Sequence, residues 1–384
     1  MMRVKALISQ KELDKAIQIV NRAAAAKSMI PALAGILIHA ETGKLVLTAN
    51  NHEIAIQHTV AAEVETPGKV LVSGRLLGDL VKKMPADDVM LKLDPSGNSL
   101  NVSSAGTSYN ILTMKTYEFP AIEMINGDTE VFSLLASELR DIFKQTAFAV
   151  GNDEIGRPVF TGIHLLLKNQ QLSAFATDTH RFALKRLTGR SNEIETNLII
   201  PNKILADVTM VLDPDDTVNI TWNANKIAFS TAETYLISRL ISGKSPDFER
   251  IIPKNPSTVV TVNRDQLLIA LERLSIVNLQ RFKDYILNDT SISIKDDSLI
   301  ISGTSREKGH AVEEMTAQVD GEPMEIMFNG TNIAECLKVL SSDKVIISLT
   351  APNAPAMLVA DNDDSFLYVF SPVIRAAPNM EAAS

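Results

Sequence analysis

Cysteine is nearly absent. Cys336 is the only one in 384 residues, so no disulfide can form within the chain, which fits a reducing compartment. Aromatic residues make up 5% of the chain, so its cores are expected to be aliphatic. No apolar run approaches the roughly 20 residues that a membrane helix needs. Residues 1–10 lack the apolar stretch of a signal peptide, and a cytoplasmic protein is expected. No Gly-x-x-x-x-Gly-Lys-Ser/Thr phosphate loop occurs, and the span from Gly151 to Gly156 is acidic, which does not suit a phosphate cradle. The six histidines are scattered and Cys336 has no companion, so neither a metal nor another cofactor is expected. Asp87-Asp88 and Asp213-Pro214-Asp215-Asp216 lack the glycine and distal glutamate of a calcium loop. Asp178 and His180 lie close together, but nothing marks a nucleophile elbow or a partner base, so catalysis is not expected. A basic excess is missing as well. With 37 Lys and Arg against 46 Asp and Glu the net charge is −9, unlike most general nucleic-acid binders, although the distribution of charge can override the total.

What the chain does have is a pattern stated three times. Leu45, Leu172 and Leu299 recur at a spacing of 127 residues, each in a short apolar run, and Asn50, Thr177 and Thr304 close those runs at the same spacing. Ser73, Pro201 and Asn329 recur at 128, each just before a helical pattern. Each unit opens with an amphipathic helix. The stripes are Leu13, Ala16, Ile17, Val20; Leu139, Ile142, Phe143, Thr146; and Leu267, Ala270, Leu271, Leu274, with Ser9, Ser137 and Asn263 as the expected N-caps. Two-residue turns at 42–43, 169–170 and 296–297 join alternating strands. A second helix follows, with stripes Leu77, Leu80, Val81, Met84; Leu205, Val208, Thr209, Leu212; and Ile333, Cys336, Leu337, Leu340. Alternating strands then return. Hairpins favour antiparallel sheets, so the fold class is α+β, three tandem repeats each with two helices packed on antiparallel sheet. The expected domains are 1–128, 129–256 and 257–375, with a tail at 376–384. Such an array either stays open or curves and closes head to tail into a ring.

Four strings add a resemblance. They are Gly156-Arg157-Pro158-Val159-Phe160-Thr161-Gly162, Ala176-Thr177-Asp178-Thr179-His180-Arg181-Phe182, Ser245-Pro246-Asp247-Phe248-Glu249-Arg250-Ile251-Ile252-Pro253 and Tyr368-Val369-Phe370-Ser371-Pro372-Val373-Ile374-Arg375. In this order and spacing the chain, from residue 1 to about 375, closely resembles the bacterial DNA polymerase III β subunit family, the sliding clamps. The resemblance implies the DNA clamp fold, assembled as a head-to-tail homodimeric ring around duplex DNA. It also implies a non-catalytic role in processive synthesis. The implied partners are double-stranded DNA, the polymerase III α subunit, the clamp loader, and other polymerases and repair proteins that dock through short hydrophobic peptides. The alternative kept beside it is an interaction scaffold of the same fold without DNA tethering.

The helix faces opposite the apolar stripes carry cations interleaved with acids, as solvated faces commonly do. Arg75, Lys82, Lys144, Arg264 and Lys338 are DNA-contact candidates there, and the resemblance adds Lys27 and Lys203 as matching the family's DNA-contact positions. It further implies a peptide cleft from Thr177, Thr179, His180, Arg181, Phe182, Pro246, Arg250 and Ile251, with Val369, Phe370, Ser371, Pro372, Val373 and Arg375 from the end of the chain. Arg157, Phe160, Ala354 and Ala356 are expected on its rim. For the dimer seam it implies Tyr109 and Ile111 on one side, Ile276 and Val277 on the other. Two departures stand out: Thr179 occupies a position where the family usually has glycine, and Ile374 is an extra residue before Arg375.

Overall fold

The computed structural model describes residues 4–25, 28–125, 131–152, 156–188, 195–281 and 286–374. By packing, the chain forms two compact units, residues 1–140 with 203–240 and residues 141–202 with 241–384. The packing units therefore differ from the three sequence repeats, because the repeat expected over 129–256 contributes to both. The first unit holds a thirteen-stranded sheet, and the second holds sheets of nine and four strands with a two-stranded ribbon. The strand pairings are antiparallel, as hairpin connections favour.

Six α-helices are described: α1 (Gln10–Asn21), α2 (Gly74–Val81), α3 (Ala136–Thr146), α4 (Asn202–Val211), α5 (Arg264–Asn278) and α6 (Gly330–Val339). Each begins at the residue after a strand ends. At four of these junctions the last strand residue is the N-cap. Ser9, Ser73, Asn263 and Asn329 accept hydrogen bonds from the backbone N–H groups of Glu12, Leu76, Gln266 and Thr331. An extended φ/ψ is what both a strand end and an N-cap require, so one residue serves as both.

Ser137 departs from this scheme, since it lies inside α3 and not at its cap. Here the helix start is satisfied from outside. The N–H groups of Ala136 and Ser137 donate to the carbonyls of Asp216 and Pro214, and the Leu135 N–H donates to the Glu138 carboxylate.

The repeats also share a device at the far helix ends. A side chain of the first helix ties down a carbonyl at the end of the second. Gln10 Nε2 donates to Val81 O at 2.8 Å, Arg140 Nε donates to Thr209 O at 2.9 Å, and Arg264 donates to Leu337 O at 3.3 Å. C-terminal helix carbonyls have no partner within the helix, so the ties to Thr209 and Leu337 satisfy groups at the helix end, while Val81 O also accepts from the Met84 N–H at 3.1 Å.

The predicted stripes of α1 (Leu13, Ala16, Ile17, Val20) and α5 (Leu267, Ala270, Leu271, Leu274) are buried throughout, whereas Leu80 in α2 and Phe143 in α3 are only partly buried. The cores are less uniformly aliphatic than the composition suggests. Phe175, Phe182, Phe328, Phe366, Tyr368 and Phe370 are fully buried in the second unit, and Phe229 is fully buried in the first. Among the described residues no helix is long and apolar enough to cross a membrane.

Candidate functional site

In the second unit, strands Gln171–Thr177 and Arg181–Leu187 form a hairpin, and the latter also pairs with strand Asp363–Phe370. The residues that join the hairpin are tightly bracketed. The Thr177 hydroxyl donates to Arg181 O at 2.7 Å and accepts from the Thr179 N–H at 3.1 Å. Asp178 Oδ1 accepts from the N–H groups of His180 and Arg181, and Asp178 Oδ2 accepts from Arg181 Nε at 2.9 Å. The Arg181 guanidinium also pairs with Glu335 and lies over the Phe148 ring. This network holds Thr179 at φ +79°, a conformation that β-branched residues rarely adopt.

Next to the hairpin lies a cavity of about 260 Å³. Its lining is Phe160, Thr177, Thr179, His180, Arg181, Phe182, Pro246, Ile251, Pro355, Val369 and Ser371. Behind it, Phe175, Phe182, Leu184, Phe248 and Val369 form one buried cluster, so the wall rests on a rigid aromatic layer. The C-terminal segment is pinned beside it: the Ser371 N–H donates to His180 O and the Val373 N–H to Met327 O, both at 2.8 Å. The result is a largely apolar, preformed concavity with a few polar groups at its edge, suited to a short apolar segment of another chain.

Ten of the eleven lining residues are ones that the sequence resemblance implied. The others fall elsewhere. Phe370 is 1% exposed and packs on Phe328 and Tyr368, so its side chain belongs to the core. Alternation explains this: Val369 faces the cavity and its neighbour in the strand faces away. Ala356 is fully buried. Arg157, Arg250, Ala354, Pro372 and Val373 do not line the cavity, and Arg250 pairs with Asp247 in solvent. Arg375 lies outside the described residues. Pro355 was missed, although its neighbours on both sides were named; its place between Ala354 and Ala356 was the available signal.

The helix faces are built differently. Arg75 on α2, Lys144 on α3 and Lys203 on α4 are exposed, as is Lys82 at the C-cap of α2. Arg75 lies 3.8 Å from Asp79, a solvated pair that contributes little to stability. Lys338 is half-exposed and pairs with Glu272 at 2.9 Å. Arg264 is not a free cation. Its side chain is largely buried, held by Asp265 at 2.7 Å and by the Leu337 carbonyl. Lys27 lies outside the described residues.

The seam candidates divide as well. Strand Thr107–Met114 pairs along one side with Ser99–Ser104, but along its other side only through Thr113 and Met114. Residues 107–112 thus present an open edge. Tyr109 is half-exposed there, whereas Ile111 is 6% exposed and packs into its own core; Leu112 is the exposed apolar neighbour. In the second unit Ile276 is 71% exposed, Val277 is intermediate, and strand Gly309–Thr316 is an edge strand carrying exposed Val312.

Both oxygens of the Asp178 carboxylate are occupied by the turn, and Cys336 is fully buried with its thiol pKa raised by that burial, which leaves it inert. Among the described residues no group of His, Cys, Asp and Glu could hold a metal ion.

Family models for the DNA polymerase III beta subunit match along the chain. The N-terminal domain matches residues 4–123, the central domain residues 133–247 and the C-terminal domain residues 249–374. The beta sliding clamp of Staphylococcus aureus is 28% identical over 362 residues, covering 92% of this chain and 94% of that one. Among solved structures, the DNA polymerase sliding clamp of Bacillus subtilis superposes with a TM-score of 0.91 at 27% identity, covering 97% of this chain and 100% of that one. The DNA polymerase III beta subunit of Thermotoga maritima gives 0.87 at 26%, with coverage of 97% and 100%. The likeness runs through all three repeats, and the chain belongs to the DNA polymerase III beta subunit family, the sliding clamps, which are non-catalytic processivity factors.

Proposed function

We propose that two copies of this chain close head to tail into a ring around duplex DNA, and that the cleft of the second unit captures short apolar peptides from the polymerase and other replication and repair proteins. The observation that carries this reading is the cavity itself. Ten residues implied by family likeness, drawn from four separated stretches of sequence, line one apolar concavity. The open edge at residues 107–112 and the edge strand Gly309–Thr316 supply unpaired backbone groups suited to strand pairing between copies. Exposed Tyr109 and Ile276 supply apolar surface beside them. Arg75, Lys82, Lys144 and Lys203, together with Lys27, provide cations for phosphate contacts that read no sequence. The working location is the bacterial cytoplasm.

Loading onto closed circular DNA tests the ring. The protein is expected to stay on the circle and to be released when the circle is cut. Equal retention on linear and circular DNA would exclude encirclement and favour a scaffold without DNA tethering. Ile276→Asp with Tyr109→Ala is expected to give monomers by sedimentation, because a charge would enter an apolar seam.

A further inference from the structure

We propose that His164 is a positioning residue for the cleft: it ties the segment bearing Phe160 to the segment bearing Pro246 and so fixes the distance between two walls of the peptide site. This rests on the reading of the cavity as that site.

His164 lies in strand Gly162–Lys168 and is completely buried. Its Nε2 is 2.9 Å from Val159 O, and Val159 precedes Phe160 in the chain. Its Nδ1 is 2.6 Å from Ser245 Oγ, and Ser245 precedes Pro246. Phe160 and Pro246 both line the cavity. One imidazole therefore reaches, through its two nitrogens, two segments of the chain, at Val159 and Ser245, that are 86 residues apart in sequence (245 − 159).

The ring is itself fixed. It stacks on Phe175 with centroids 4.5 Å apart and planes 8° apart, and Phe175 packs on Phe182 and Phe248. The two loops also touch directly. A Cβ at Gly243 would lie 2.2 Å from Val159 Cγ1, and Gly243 has φ +150°, so glycine is what permits this approach.

The chemistry selects one tautomer. Val159 O can only accept, so Nε2 carries the proton, and Nδ1 accepts from the Ser245 hydroxyl. Asn197 Oδ1 stands 2.6 Å from that hydroxyl; with the hydroxyl's single proton given to Nδ1, this tautomer requires the Asn197 amide turned about, so that its NH₂ donates to the hydroxyl oxygen. Burial lowers the His164 pKa to about 4, which keeps the imidazole in this neutral form. His58 shows what an ordinary core histidine looks like here: it is buried and bonded to Thr234 at 2.9 Å, and it adjoins no cleft wall.

The test uses the full-length protein and a fluorescent peptide bearing the clamp-binding motif of the polymerase III α subunit, with anisotropy read well below each variant's melting midpoint. His164→Phe keeps the ring and its stack but removes both hydrogen bonds; Ser245→Ala removes one tie from the other end. His164→Phe is expected to weaken binding about tenfold and Ser245→Ala less, with the double variant no weaker than His164→Phe. His164→Gln, which keeps a donor for Val159, is expected to recover part of the affinity. An unchanged affinity in folded His164→Phe, or additive losses in the double variant, would overturn the positioning role. If His164→Phe does not fold, an unchanged affinity in Ser245→Ala has the same force. Wild-type protein that fails to bind the peptide would instead remove the cleft reading itself.

Discussion

The cleft and the cationic helix faces are built on opposite principles. In the cleft nearly every group is held by another: Asp178 by three donors, His180 O by the Ser371 N–H, Phe182 by Phe175 and Phe248. On the helix faces Arg75 is 92% exposed and its one ion pair is long. The contrast matches two kinds of recognition. A short peptide has few atoms to contribute, so its site has to be preorganised. A duplex presents about one charge per 1.7 Å of axis, so a sequence-indifferent grip needs cation density and not fixed geometry. Substitutions in the two regions should therefore fail in different ways.

The largest effect is expected behind the cleft. Phe370→Ala removes a fully buried ring from between Phe328 and Tyr368 and should cost about 3–5 kcal/mol in urea denaturation. Any loss of peptide binding should follow that loss of folding. A selective loss of affinity at unchanged stability would mean that the side chain reaches the cavity, and the division between wall and backing would fail.

Acid should act on the same region. An unfolded histidine titrates near 6.5, while burial, which disfavours its charge, lowers His164 in the folded chain to about 4. Between those values the unfolded chain holds the extra proton. Stability therefore falls as pH drops from 6.5 towards 4, by about 3 kcal/mol in all, and this contribution is flat below. Subtracting the pH profile of His164→Phe isolates the effect, since His58, whose pKa burial also lowers, is present in both proteins. Parallel profiles would show that His164 is protonated freely in the folded state.

The two regions also differed in how far the sequence revealed them. Period and spacing were enough for six helices, most residues of their buried stripes and the paired turns, because each depends on residues close in the chain. Ser137 misled because α3 takes its first acceptors from the carbonyls of Asp216 and Pro214, some 80 residues away. Arg264 misled for a related reason. A cation at a helix start looks solvent-facing until the neighbouring helix brings the Leu337 carbonyl to it. Phe370 was named beside Val369, and strand alternation turned it away from the cavity. Ile111, by contrast, shares a strand face with Tyr109 and is nonetheless buried, a difference that alternation does not foretell. His164 gave no signal at all, because its meaning depends on two loops that only the fold brings together.

Arg264 and Arg75 turn that lesson into a paired measurement. Arg264→Ala unties α5 from α6 and should cost about 1–2 kcal/mol, leaving the salt dependence of DNA association unchanged. Arg75→Ala with Lys82→Ala should leave stability within about 0.5 kcal/mol. It should flatten the log–log salt dependence by about one unit for each phosphate that is no longer neutralised. The reverse pattern would mean that the grip on DNA is also built from fixed side chains.

The smallest effect is expected at Thr179, where strain and chain entropy nearly offset each other. Its φ of +79° costs a β-branched residue about 1–2 kcal/mol, and Thr179→Gly would relieve that. Glycine loses more backbone freedom on folding, which returns about 0.5–1 kcal/mol. The hydrogen bonds that hold the turn come from Thr177 and Asp178 and would survive the substitution, because Thr179 contributes only its backbone N–H. Net stabilisation of at most about 1.5 kcal/mol should therefore appear as a small rise in the urea midpoint. Loss of stability would show that the Thr179 side chain makes an interaction that outweighs its backbone strain, and that the cleft at this point is held by the side chain as well as by the turn.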